Sequence, residues 1–549
     1  MDADVLIVGA GHNGLTAGCF LAKAGLRVTV LEASETIGGM TSTESIFPRA
    51  PHHRVNRGAL DATFIHATDV VDALDLRRHG YADVWVDPMW LYLHPGDASI
   101  AFWRDAARTA DEMRTFSPAD ARSYLELANT LDALLDVATP LMTAHPTRPG
   151  IEPLSRALAG AVRRRRDLVD VVRLISSSAA ELIDGRFEHP VTRGALASVC
   201  AAFGPILGDA TAVVLVAFGW YLRHGVSRPV GGTQGYPDAL LSALHEAGGQ
   251  VRCAAEVAEI IVERGRATGA RLADGSELSA THAVLATCDP RTALVELLPK
   301  GVLAPGVRSR AAAIPSYRDG VAPLRVDIAT AGRVTFSRYE RRRGDGIDLR
   351  KPGIFVGTLE DAIAAETSAV AGRLPDPINL YVGIPTGADP SQAPEGQDTI
   401  WIYAAPMPLR PYRGWPSLKP EATDRVIARA SEFVDGLVEL SIEEASETPD
   451  EMAERVHATH GCLWHVDLSV WRMGPLRPAR GLSGYRTPIP GYYLGGAGSH
   501  PMPGMSSLPG RLASQQIIAD GDRRLGRPNR ARRVVPIPGS ASRLTLSRR

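Results

Sequence analysis

Gly9, Gly11 and Gly14 form a Gly-x-Gly-x-x-Gly run directly after the apolar stretch Val5 to Val8, and an acid, Glu32, closes the next strand-like stretch, Arg27 to Leu31. Glycines at this spacing let the chain turn tightly, bring backbone N–H groups close to a pyrophosphate and pack the following helix against the strand. That helix, opened by His12 and Asn13, aims its N-terminal N–H groups at the same anion. A carboxylate about 20 residues on accepts hydrogen bonds from ribose hydroxyls and disfavours a 2′-phosphate. The chemistry expected is the binding of a dinucleotide, with Gly9, Gly11, His12, Asn13, Gly14, Glu32 and Ala33 as contacts. A lone glycine motif also fits an ordinary turn between strand and helix, but strand, loop, helix, strand and acid in register argue against that plainer reading.

A chain of 549 residues exceeds the size at which a single core stops growing, so two or more domains are expected. Its residues are 45% hydrophobic and 22% charged with a net charge of −1, which disfavours nucleic acid as a partner. Five widely spaced cysteines form no metal-ligand or CxxC pattern, so reduced thiols in a cytoplasm and no metal site are expected. No signal peptide is expected before the first strand. The longest apolar run, Ala210 to Leu222, is too short to span a bilayer and reads as a buried core helix, with a dip into a membrane surface as the alternative. Residues 105–227 read as mainly helical, with segments at Ala121 to Met142, Ile151 to Leu174 and Ala179 to Glu188. Within them, Arg163 to Arg166 reads as a solvated helix face, or alternatively as a site for anionic lipid or a substrate phosphate.

Beyond Glu32 comes a second pair of glycines, Gly38 and Gly39, followed by Met40, Thr41, Ser42 and Thr43. Two adjacent small residues bring another backbone segment to the same pyrophosphate, and the hydroxyls can donate to it. The pattern resembles the glycine pair of two-domain flavoproteins of the amine oxidase and phytoene desaturase type, in which an arginine often stands where this chain has Met40. Between Arg228 and Pro290 strand and helix alternation returns. Gly231, Gly232 and Gly235 are preceded by the polar, broken stretch Arg223 to Pro229 rather than by a buried strand, so no nicotinamide site is expected there. A third stretch, YRTPIPGYYLGGAGSHP, runs from the strand Tyr492 to Leu494 through Gly495, Gly496, Ala497 and Gly498 into a helix expected from about Met505. A helix start there offers positive potential to an electron-rich ring.

GAGHNGLTAG, the glycine pair, RPVGGTQG with GGQVRCAAEV, GCLWHVDLSVWRMGPLRP and YRTPIPGYYLGGAGSHP together resemble the phytoene desaturase superfamily. The resemblance is closest to the branch of desaturase-like carotene ketolases and pyridine nucleotide-disulfide oxidoreductase domain-containing protein 2. It implies an α/β, two-domain flavoprotein with a Rossmann-type FAD domain, a mixed-sheet substrate domain and a helical cap. The FAD domain would be assembled from residues 1–100, 228–300 and 481–520, with 101–227 as cap, 301–480 as substrate domain and 521–549 as a disordered basic tail. It implies FAD contacts at Gly9, Gly11, Gly14, Glu32, Gly38, Gly39, Val257, Gly498 and Met505, with Met40, Thr41, Gly496, Ala497 and Ser506 beside them. Where relatives read HPGGGV, this chain places Met502 and Pro503, bulk expected to narrow the space over the flavin.

Hydride transfer to flavin often needs a group that moves a proton. His500 is the first candidate because imidazole titrates near neutrality, with a purely structural role as the alternative. His465 and Asp467, expected on one face of an alternating segment, are read more as structure than as chemistry. Asn56 and Arg57 are candidate polar contacts at the flavin edge, and adjacent His52 and His53 lack further metal ligands. The implied function is desaturation or oxidation of a largely apolar, carotenoid- or isoprenoid-like small molecule, with oxygen or a quinone as acceptor. Alternatives are a flavin-dependent amine oxidase, an isomerase or saturase of the same fold, and a non-enzymatic carrier of prenylated proteins. Peripheral contact with a membrane is an open expectation, as is the oligomeric state.

Overall fold

A computed structural model describes residues 3–62, 64–501 and 503–524. Met502 and most of the stretch read as a basic tail, residues 525–549, lie outside the described residues. Two seven-stranded sheets organise the rest.

The first sheet runs in the order Val257–Glu263, Arg266–Leu272, Glu277–Ala286, Ala3–Val8, Val28–Leu31, Gln250–Arg252, with Tyr492–Leu494 also beside Glu277–Ala286. Its centre is parallel: Ile7 stands opposite Leu285 on one side and Val30 on the other, and Leu285 opposite Tyr493. A parallel strand covered on both faces needs a near-continuous apolar run, which Val5 to Val8 supplies. The helices His12–Lys23, Gly235–Glu246 and Leu508–Arg524 pack together over one face. The last of these begins at Leu508, not Met505, because Ser507 is left-handed (φ 57°), and it runs through Arg524, so residues 521–524 are helical rather than tail.

The second sheet has the order Ser441–Glu447, Val321–Thr330, Asp398–Pro408, Leu380–Gly383, Gly353–Val356, Trp90–Leu93, Ser99–Phe102. Trp90–Leu93 runs parallel to Gly353–Val356, with Leu91 opposite Ile354, so the first hundred residues do not all serve the nucleotide sheet. One face packs on the helix Trp415–Ser431. The other carries Tyr92, Phe355, Tyr381, Trp401 and Tyr403 toward a helical layer built from Pro118–Met142, Pro190–Phe203 and Leu215–His224.

The segment from Ile151 onward is two helices, Ile151–Arg163 and Leu168–Ser176, rather than one. Arg164, from the four-arginine run, turns inward to Asp132 and Asp136 between them. A further correction concerns Arg223 to Pro229. Val226–Pro229 is a fully buried strand antiparallel to Asp83–Val86, with Ser227 Oγ on His66 Nε2 (2.7 Å) and Arg228 Nε donating to Asp61 (3.0 Å), while the two terminal nitrogens of Arg228 find no hydrogen-bond partner among the described residues. Among the described residues, no helix is long and apolar enough to cross a membrane.

Candidate active site

A cavity of about 790 Å³ extends from the carboxyl ends of the parallel strands to the aromatic face of the second sheet. At its first end Gly9 (φ 101°) turns the chain, its N–H donating to the Leu31 carbonyl at 2.7 Å. Thr287 locks this turn from the neighbouring strand, its hydroxyl within 3.0 Å of the Val8 and Gly9 carbonyl oxygens. A Cβ on Gly14 would lie 2.0 Å from the Gly9 oxygen, so glycine here lets the helix sit against the loop.

Gly38 approaches the loop from the other side: its N–H donates to the Ala10 carbonyl (3.0 Å) and it bridges to Gly11. Glu32 is held by two backbone donors, Ala10 N to Oε2 (2.7 Å) and Ser34 N to Oε1 (3.0 Å), leaving lone pairs on both oxygens for further hydroxyls. His12 lines the cavity with Nε2 on the Gly504 carbonyl (3.1 Å), and burial holds its imidazole down at about 4, neutral at physiological pH.

At the other end Leu60, Phe203, Tyr221, Tyr381, Trp401 and Tyr403 form a mostly aromatic chamber. Trp401 and Tyr403 stand two residues apart on one strand face and stack at 5.1 Å. Tyr381 stacks on Phe355 at 4.4 Å and donates its hydroxyl to Asp61 at 2.6 Å, while Asp61 also receives Arg228.

These features fit the group that the glycine pattern implies. Among the described residues beyond their chain neighbours, a Cβ at Gly11 would meet only the Gly38 oxygen, at 3.9 Å, and one at Gly39 only the Gly11 Cα, at 3.7 Å. The gap between the two glycine backbones therefore opens into the cavity, beside a pinned carboxylate, as a pyrophosphate and ribose require.

Residues 7–70 match the family model described as NAD(P)-binding Rossmann-like domain. The chain is 24% identical to mouse (Mus musculus) pyridine nucleotide-disulfide oxidoreductase domain-containing protein 2, covering 94% of this chain and 93% of that protein. It is 24% identical to the neurosporene-forming phytoene desaturase of Rhodobacter capsulatus, covering 93% of each. The chain is an oxidoreductase homologous to these proteins. In fold it is similar to cyclohexylamine oxidase from Brevibacterium oxydans, with a TM-score of 0.58 and 15% identity over 96% of this chain and all of that one.

Of the residues singled out in the sequence of this oxidoreductase, the structure gathers Gly9, Gly11, His12, Asn13, Glu32, Ala33, Gly38, Gly39, Met40, Thr41, Val257, His465, Ala497 and Met505 around the cavity. Others stand behind it. Gly14 and Gly496 permit close packing, the latter because a Cβ would lie 2.1 Å from the Thr287 oxygen; Gly498 packs on Pro290, and Ser506 accepts from the Leu508 N–H. Pro503 is buried and does not line the cavity.

Arg57 does not itself line the cavity; it pairs with Glu447 (3.0 Å) and with Glu44 (3.5 Å), a cavity-lining carboxylate. His500 also points elsewhere: its Nε2 meets the Ala144 carbonyl at 3.0 Å, and burial lowers its pKa to about 4. A neutral imidazole locked on a helical-layer carbonyl is a structural strut. His500→Ala is expected to cost about 1–3 kcal/mol of stability while leaving the pH dependence of substrate oxidation unchanged. Loss of an ionisation from that profile would restore His500 as a proton-transfer group.

His465 lies on an irregular turn (φ 57°), not the expected strand, and its N–H donates to the Cys462 carbonyl. Asp467 caps the backbone N–H groups of Tyr317 (2.6 Å) and Arg318 (3.1 Å). Sequence reading missed Thr287 and the aromatic chamber. Trp401 and Tyr403 carried a usable signal, two large aromatics at period two within the apolar stretch Ile400 to Ala404.

Proposed function

We propose that this oxidoreductase uses FAD to desaturate or otherwise oxidise a largely apolar small molecule, with oxygen or a quinone as electron acceptor. The observation that carries the reading is that one cavity joins the double-glycine cradle and Glu32 to an aromatic chamber. Gly9, Gly11, Gly38 and Gly39 would hold the pyrophosphate through backbone, Glu32 the ribose, and Val257 would lie against the adenine. The chemistry supplied by bound FAD is acceptance of a hydride from a substrate C–H bond. Tyr221, Phe203, Tyr381, Trp401 and Tyr403 would exclude water and orient the substrate by apolar contact. His465 is one of four imidazoles at the cavity wall, with His12, His457 and His460, and burial pushes its pKa down, which favours the neutral form. A cytoplasmic protein in peripheral contact with a membrane suits such a substrate.

The purified protein is expected to be yellow and to release FAD on denaturation. Anaerobic addition of isoprenoid hydrocarbons should bleach it, and admitting air should restore the colour with formation of peroxide if oxygen is the acceptor. A colourless protein that takes up no added FAD would sink the proposal, and rapid bleaching by NADPH alone would establish a nicotinamide site instead.

A further inference from the structure

The helix Ile151–Arg163 rests on Pro118–Met142 by its small residues. Ala157 and Gly160 are its buried positions, and a Cβ on Gly160 would come within 2.5 Å of the Asp136 carbonyl oxygen. Its other face carries Ile151 (89% exposed), Leu154, Leu158 (66% exposed) and Val162, three or four residues apart on one stripe. The next helix, Leu168–Ser176, is anchored by Val171 and Leu174 and turns Val169 (77% exposed) and Val172 outward. Scattered exposed aliphatics are ordinary, but a run of them on consecutive elements marks a surface that meets something apolar.

The rim identifies what it meets. Arg148, Arg156, Arg163, Arg165, Arg166 and Arg173 are exposed on and beside these helices, where the exposed acids are Glu152 and Asp170. Two copies joined through this face would bring like charges together. An anionic lipid surface would instead receive the aliphatic stripe at the headgroup boundary and the arginines among its phosphates.

We propose that the helices Ile151–Arg163 and Leu168–Ser176 form a docking face for an anionic bilayer. Leu168–Ser176 packs against the turn Thr211–Val214, whose Thr211, Val213 and Val214 wall a second cavity of about 70 Å³. That cavity shares Ala202, Phe203, Tyr403, Leu463 and Trp464 with the main one. Docking through this face therefore sets this second cavity, which shares a wall with the chamber, close to the bilayer. The inference rests on the peripheral-membrane part of the function proposed above and specifies the surface responsible.

The test is flotation of the full-length protein with vesicles of phosphatidylcholine alone and of phosphatidylcholine and phosphatidylglycerol in equal parts. Binding to the anionic vesicles is expected, weakened by salt. Ile151→Asp with Leu158→Asp should reduce it about tenfold or more, given the apolar area each residue would bury, and Arg165→Glu with Arg166→Glu should remove the preference for anionic lipid. These side chains are exposed, so retained flavin colour and an unchanged melting temperature verify folding. Vesicle binding that the variants leave intact would overturn this face while leaving peripheral contact standing. No vesicle binding would overturn both, and light scattering showing a dimer that Leu158→Asp dissociates would make the face a protein interface.

Discussion

Gly11→Val is expected to yield a folded protein that purifies without flavin. Gly11 has extended backbone (φ −65°, ψ 168°), a conformation that valine adopts without strain. Among the described residues, its chain neighbours apart, nothing stands closer than 3.9 Å to the Cβ it would gain, so the loop and helix are expected to keep their packing. The added methyl groups enter the gap between Gly11 and Gly39, which the pyrophosphate needs. Visible absorbance of the purified variant, titration with added FAD and circular dichroism separate the two effects. Gly14→Ala is the informative contrast: its Cβ would sit 2.0 Å from the Gly9 oxygen, so it should lose stability as well, by about 1–3 kcal/mol for an overpacked contact. A Gly11→Val protein that retains full flavin occupancy would show that the cofactor does not lie between the two glycine segments.

Glu447→Gln is expected to lower stability by about 3–5 kcal/mol, the range for removing one partner of a buried ion pair. Glu447 is buried among Arg57 (3.0 Å), Arg325 (3.1 Å) and Arg455, balanced otherwise by Asp327 on Arg325 (2.8 Å) and Glu44 on Arg57 (3.5 Å). Removing its charge leaves three guanidinium groups facing two carboxylates. Burial opposes ionisation of Glu447, but the surrounding arginines outweigh it and hold the pKa at about 2, below the ordinary 4.5. A carboxyl whose folded pKa is depressed stabilises the native state at pH values above its unfolded pKa and loses that contribution as pH falls. The wild-type protein should therefore lose about 3 kcal/mol from this group between pH 4.5 and pH 2, and Glu447→Gln should lack that share of the decline. Urea unfolding across this pH range measures both. A midpoint within experimental scatter of wild type at neutral pH would mean the cluster tolerates the lost charge.

The same cluster braces the site. Arg325 and Arg455 both donate to the Arg57 carbonyl, Arg57 N donates to the Ser42 carbonyl (2.9 Å), and Arg455 lines the cavity. The glycine-pair turn is thereby tied to the second sheet, so destabilising Glu447 should also weaken flavin retention.

What the sequence by itself determined was the local geometry at the nucleotide end. Gly9, Gly11, Gly14, Glu32 and Gly38 lie within one strand-helix-strand unit, where spacing and residue type alone dictate which backbone turns and which carboxylate meets it. The division of the chain between two sheets was only partly legible. Trp90–Leu93 follows the nucleotide segment in sequence, but its place is set by pairing with Gly353–Val356, a contact no local pattern encodes.

Direction of side chains was legible least. His500 sits two residues from Gly498, yet Ala144, from the helical layer, decides that its ring turns away from the cavity. Arg57 reads as a flavin-edge contact until Glu447, 390 residues away, claims it. The polar stretch before Gly231 seemed unfit for a buried strand because its partners, Asp61 and His66, are brought to it only by folding. The aromatic chamber draws on separate helices and strands, so only their packing makes it one surface. Short-range steric and hydrogen-bonding rules fixed the cradle in advance, whereas long-range packing and charge pairing decided what faces it.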